Sequence, residues 1–185
     1  MRVMTGEAAI AVVDQPTDDA AKRLGVLFDT HQQRLYRLAR RMTRHADDAR
    51  DLVQETFLRA ARSPSAVPVG ARPEEAWLVR VLVNLCRDRW RQAAARQRLS
   101  ALASDPGALP AADAEATLVA RSVVWQALEA LPPRRRAVVV MHELEGTTIR
   151  DIARTLGVTQ TTVRWHLSTG RRQMARTIGV VGEPR

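Results

Sequence analysis

Arg80, Asn84, Arg87 and Arg91 fall within about 60° of one another on a helix of 3.6 residues per turn, with Leu78, Leu82 and Leu85 opposite. A basic stripe carrying one Asn can follow a phosphate backbone and offer an amide to a base edge. The plainer alternative is an exposed face salt-bridged through Asp88. A second constellation lies in Ile149–Leu167, IRDIARTLGVTQTTVRWHL. Ile152, Ala153 and Leu156 make a buried stripe, and Gly157 supplies a turn position with positive φ. Thr159 can then cap a further helix. On that helix Val163, Leu167 and Met174 share one side. Thr161, Trp165, Ser168 and Arg172 share the other, with Thr162, Arg164 and Arg171 also displayed. An apolar back and a polar, basic front after a tight turn is the layout of a helix-turn-helix recognition helix. A helical hairpin with a solvated basic face is the alternative, and the agreement of turn, cap and basic front favours DNA. Arg164 can reach a guanine edge or a phosphate, with the base edge favoured, and Arg171, later on the helix, suits a phosphate. Trp165 opposes the core stripe, so it is a candidate contact for DNA or a partner.

The third constellation is ADDARDLVQETFLRAAR. Ala49, Val53, Thr56, Phe57 and Ala60 form its core side. Asp48, Asp51, Gln54, Glu55 and Leu58 lie on the other, where Leu58 is an apolar side chain set among acids. Taken alone, this is a solvated face with one stray Leu.

Nothing in the chain points to covalent chemistry. Asp47, Asp48 and Asp51 are close in sequence, but a nuclease needs a His or further carboxylates beside them. His31, His45, His142 and His166 are scattered, with no pair at i,i+3 or i,i+4, and Cys86 is the single cysteine. No catalytic site, metal or cofactor is expected, and Cys86 reads as a small core residue.

The elements that position these groups are helical. Leu24, Leu27, Phe28, Leu35, Leu38 and Met42 recur at helical spacing from about Asp18, capped by Thr17 or Asp18. A break at Arg44–His45 precedes the helix from Ala46 to about Arg62. Ser63–Arg72 carries two Pro and a Gly and reads as a loop. Pro73 opens the next helix, with Glu74 and Glu75 in its first turn, and this helix runs to about Gln92 or a little beyond. Trp77 reads as a core anchor for it, with stacking on an unpaired base as the alternative in a basic domain. Ala101–Ala116, rich in Ala, Asp, Pro and Gly, reads as a tether. A helix then ends at Leu131 before Pro132-Pro133, and Arg134–Leu144 follows with Gly146 beyond its end. Thr148 and Asp151 form a capping pattern for the helix ending near Leu156. The last helix reaches about Ile178.

The expected fold is all-α, with two small helical domains joined by a flexible linker. Residues 1–17 are a tail, 18–94 the first unit, 95–116 the linker and 117–180 the second unit. The composition agrees. Of 185 residues, 45% are hydrophobic and 4% aromatic, and the net charge is +9. The charge is concentrated in the two units, which predicts a polyanionic partner. No apolar run approaches the roughly 18 residues of a membrane span, so no membrane insertion is expected. The N-terminus lacks the apolar core of a secretory signal, which leaves a cytoplasmic location.

Three segments together resemble one family: LYRLARRM…DDARDLVQETFLRAAR, PEEAWLVRVLVNLCRDRWRQ, and ALEALPPRRRAVVVMHELEG…IRDIARTLGVTQTTVRWHL. They are similar to bacterial sigma factors of the sigma-70 family, and the length and two-unit layout resemble the extracytoplasmic-function type, which has only regions 2 and 4. The resemblance implies a promoter-recognition subunit of RNA polymerase rather than an enzyme. Asp48, Asp51, Gln54, Glu55 and Leu58 would dock on the clamp helices of the polymerase β′ subunit. Arg80, Asn84, Arg87 and Arg91, with the loop before them, would engage and help open the −10 element. Thr161, Thr162, Arg164, Trp165, Ser168, Arg171 and Arg172 would read the −35 element. The β flap and promoter DNA are the other implied partners, and an anti-sigma factor is a further candidate. A LuxR-like regulator shares the helix-turn-helix and is the rival reading, but it lacks the DLVQETFLRA helix and the Leu-Pro-Pro lead-in.

Overall fold

The structure, a computed structural model, describes residues 18–103 and 119–182. Among these residues there are helices and no strands. The order is α1 (Asp18–Met42), α2 (Ala46–Arg62), a 3-10 turn (Pro64–Ala66), α3 (Ala71–Ala103), α4 (Val119–Glu129), α5 (Pro133–Val139), α6 (Ile149–Leu156) and α7 (Gln160–Gly182). A π-helical turn over Val140–Leu144 continues α5, where the sequence pattern predicts plain helix. α3 also outruns its expected end. It stays helical to Ala103, so the chain is still helix over the first residues read as linker. The tail 1–17 and the rest of the linker, 104–118, lie outside the described residues.

α1, α2 and α3 pack together through Leu27, Leu35, Leu38, Met42, Leu52, Phe57, Leu78 and Leu82, all buried. Phe28 departs from the sequence expectation. It is exposed, with its ring 4.9 Å from that of Phe57, because α1 has only α2 beside it on that side. In the second half α4, α5 and α6 all pack on α7, and Leu131, Val138, Val140, Met141, Ile152 and Val163 are fully buried. The cap expected at Thr148 is present. Its hydroxyl accepts from the Asp151 N–H at 3.2 Å and donates to the Asp151 carboxylate at 2.7 Å. Gly157 closes α6 with φ +66°, and Thr159 accepts from the Thr162 N–H at 3.1 Å.

The two halves touch. α3 packs against α5 and α6. Arg136, buried, donates to Met42 O at 2.5 Å across the boundary, and to Glu129 O and Leu131 O on its own side. Arg41 and Arg34 both reach Glu145, at 3.4 and 3.9 Å.

Two helical glycines predict opposite outcomes. A Cβ on Gly170 would lie 2.7 Å from Val139 Cγ2, at the crossing of α5 and α7. Gly170→Ala should therefore lower unfolding stability by about 1–3 kcal/mol. A Cβ on Gly25, in α1, meets open space. Gly25→Ala should raise stability by about 0.5–1 kcal/mol through helix propensity. Urea unfolding followed by circular dichroism measures both.

Candidate nucleic-acid and partner-binding faces

The outer face of α2 has the predicted form. Asp48, Asp51 and Gln54 are exposed, and Leu58 keeps 40% of its surface. Glu55 is half-buried and pairs with Arg59 and Arg62 at 3.6 Å. No local pattern announces what adjoins this face. Between α1 and α2 runs an apolar groove of about 740 Å³, with Leu24, Phe28, Tyr36, Phe57 and Leu58 along it and Gln54 at its edge. Leu58 is therefore one wall of a continuous apolar surface, and Phe28 another.

On α3 the Leu78, Leu82 and Leu85 side is buried, as the angular argument requires. The opposite stripe is only partly open. Arg91 is exposed and Asn84 half-buried. Arg87 pairs with Asp88 at 3.4 Å, and its Nε is enclosed without a partner. Arg80, expected to face DNA, donates to Thr155 O at 3.3 Å, with its guanidinium against the Gly157 turn. The contact has a simple cause. Thr155 O lies in the last turn of α6, where carbonyls lack intrahelical partners and carry partial negative charge.

The front of α7 is displayed. Thr161, Arg164, Ser168 and Arg172 are exposed, Thr162 is half-buried, and Val163 and Leu167 are buried behind them. Trp165 is 54% exposed, with the Arg135 guanidinium 5.2 Å from its ring centroid. Arg135 had no role in the sequence reading. Arg171 is also engaged within the chain. It is not held free for phosphate, because Nε and Nη2 bond Glu143 Oε1 at 2.8 and 2.6 Å. Glu143 lies on the π-helical turn, 28 positions away, so no local pattern announces it.

Behind Trp165, burial holds the His166 imidazole below its ordinary value of 6.5, helped by Arg135 and Arg134. Its rings meet edge to face at 4.8 Å, and Nδ1 is enclosed without a partner. A depressed histidine stays neutral in the fold while the unfolded chain takes up a proton. Stability is thus fully present above the unfolded value and declines as pH falls through it. Stability should drop between about pH 7 and 5, and His166→Gln should flatten that decline. Parallel pH profiles for the two proteins would show that the imidazole is not the cause.

The matched families follow these two halves. Residues 27–96 match sigma-70 region 2 and residues 121–174 match sigma-70 region 4. The chain is 38% identical over 170 residues to the ECF RNA polymerase sigma factor SigE of Mycolicibacterium smegmatis, an alignment spanning 89% of this chain and 65% of that protein. It is 37% identical over 153 residues to the ECF RNA polymerase sigma factor SigM of Mycobacterium tuberculosis, covering 83% of this chain and 76% of the relative. Among solved structures, CnrH in complex with the cytosolic domain of CnrY aligns with a TM-score of 0.56 and 25% identity, over 86% of this chain and 90% of that one. A match in two successive regions, one of them the α1–α3 unit that a LuxR-type regulator lacks, settles the family: the chain belongs to the extracytoplasmic-function sigma factors of the sigma-70 family.

Proposed function

We propose that this chain is an alternative sigma factor that binds core RNA polymerase in the cytoplasm and directs transcription from promoters with −10 and −35 elements. It acts by binding and carries out no covalent step. The observation behind this reading is the occurrence, in one chain, of region 2 and region 4, each with an exposed basic helix. Core polymerase is engaged through Asp48, Asp51, Gln54, Glu55 and Leu58 on the β′ clamp helices, with the β flap beside region 4. The groove supports this role, since a partner helix laid there covers Leu58 and Phe28 together. Arg80, Asn84, Arg87 and Arg91 serve the −10 element. Thr161, Thr162, Arg164, Trp165, Ser168, Arg171 and Arg172 serve the −35 element. An anti-sigma factor is a further candidate partner; the similar CnrH was solved with the cytosolic domain of CnrY on it.

Size dictates one step. The two elements lie about 25 base pairs apart, roughly 85 Å at 3.4 Å per pair. A packed chain of this length has a radius of gyration near 16 Å. The α3–α6 contact must therefore part before α3 and α7 can hold both elements. Chain running from Ala103 to Val119 reaches about 55 Å when extended, enough to allow it. Arg80 leaves Thr155 and Arg171 leaves Glu143 if they are to meet phosphate.

The decisive experiment adds the protein to core polymerase and sequences the 5′ ends of transcripts made from genomic DNA. New start sites sharing two elements are expected; a transcript pattern identical to that of core alone rejects the reading. Two residue-level outcomes follow. Gln54→Arg with Leu58→Arg should weaken core binding by about 2 kcal/mol or more, while the helical circular dichroism is unchanged. Arg164→Ala in the holoenzyme should cost about 1–3 kcal/mol at a single −35 position. A panel of single-base promoter variants checks this, and uniform weakening across the panel assigns Arg164 to phosphate instead.

A further inference from the structure

The apolar groove between α1 and α2 is one part of a longer channel. A smaller cavity of about 140 Å³ adjoins it near the start of α1, and the two share Ala21, Leu24 and Ala61 as walls. A short turn joins α1 to α2, so the helices run antiparallel, and the far end of the channel holds Tyr36 and Arg50. From Ala21 to Tyr36 is about 22 Å at 1.5 Å per residue. Phe28 and Leu58 are exposed along this length. The channel opens at Ala20 and Ala21, in the first turn of α1, so the chain ahead of Asp18 enters the fold at its mouth.

The sequence ahead of Asp18 carries a segment of matching length and polarity. Residues 8–13, AAIAVV, are six apolar residues in a row, with Glu7 before them and Asp14 after. Ile10, Val12 and Val13 are β-branched and favour extended backbone. Six extended residues span about 20 Å. Residues 14–17, DQPT, separate this segment from α1. They reach about 13 Å, and Pro16 suits a turn, so the segment can run back along α1. Laid that way, Glu7 arrives at the far end of the channel. Arg50 is exposed there, and it is the one cation among the residues lining the larger groove. A four-residue tether holds the segment at about millimolar effective concentration, which a second copy of a dilute protein does not reach. On the reading given under Proposed function, on which this inference rests, we propose that residues 8–13 occupy the α1–α2 channel of the free chain and compete with core polymerase for Phe28 and Leu58. Core then binds by displacing the chain's own segment.

The test uses the full chain, with the photo-cross-linking residue p-benzoylphenylalanine in place of Val12. After irradiation of dilute protein, mass spectrometry of the digest should join position 12 to α1 or α2 peptides of the same chain. Glu7→Arg should lower the yield by about threefold or more, and Arg50→Glu added to it should restore the yield. Excess core polymerase should suppress the cross-link. In a separate protein, Ile10→Ser with Val12→Ser changes no charge and no residue of the packed helices. It should tighten core binding by about three- to tenfold, because the competent fraction of the free chain rises. A cross-link between two chains, seen as a band of doubled mass, assigns the channel to a second copy and overturns the proposal. Absence of any join to α1 or α2, a cross-link that persists under saturating core, or unchanged core affinity in the double serine variant overturns it as well. Failure of the wild-type protein to bind core rejects the sigma reading and with it the competition. The cross-link within the chain needs no polymerase, and it decides occupancy of the channel by itself.

Discussion

One buried guanidinium joins the ends of two helices. Met42 O closes α1 and Glu129 O closes α4, and Arg136 donates to both, at 2.5 and 2.6 Å, with Leu131 O at 3.3 Å. Carbonyls in the last turn of a helix lack an intrahelical partner and carry the negative end of the dipole. Left buried and unpaired, each costs about 1–3 kcal/mol. A planar cation with several donors answers them together, and although burial lowers its pKa, arginine does not lose its proton in a protein. The Leu-Pro-Pro sequence makes this possible. Pro132 and Pro133 end α4 and start α5, which brings Arg136 back over the helix just completed. Cys86, also buried there with its thiol pushed up by that burial, fills space beside the same Met42 carbonyl.

The rest of the contact between the halves is of two kinds. The buried side chains of both halves form one continuous apolar cluster, with α3 packed against α5 and α6. Arg80 to Thr155, Arg41 to Glu145 and Arg34 to Glu145 are partly exposed polar contacts. Pairs of this sort contribute about 0–1 kcal/mol each and weaken with salt. Arg80 cannot serve a helix-end carbonyl and a phosphate at once, and Arg171 cannot serve Glu143 and a phosphate at once. Both hold a protein oxygen where the oxygen of another anion could bind; the Arg80 contact lies between the halves and the Arg171 contact within the second.

The helices and their starts were legible because their signals are local. Thr148 and Asp151 are three residues apart, Gly157 needs only its own φ, and the Leu78–Leu82–Leu85 stripe follows from helical period. The faces proved harder where the partner is distant. Arg134, Arg135 and Arg136 are one basic run in the sequence, yet the structure stacks Arg135 on Trp165 and buries Arg136 against a carbonyl 94 positions away. Phe28 keeps the helical spacing of its core neighbours and is exposed all the same, because periodicity marks a side of a helix and not how much of that side another element covers. Arg164 and Arg171 are both arginines displayed on α7, and only the fold sets Glu143 beside Arg171. Leu58 is the converse case: an apolar residue set among acids signals a displayed face, and that signal needs no tertiary knowledge.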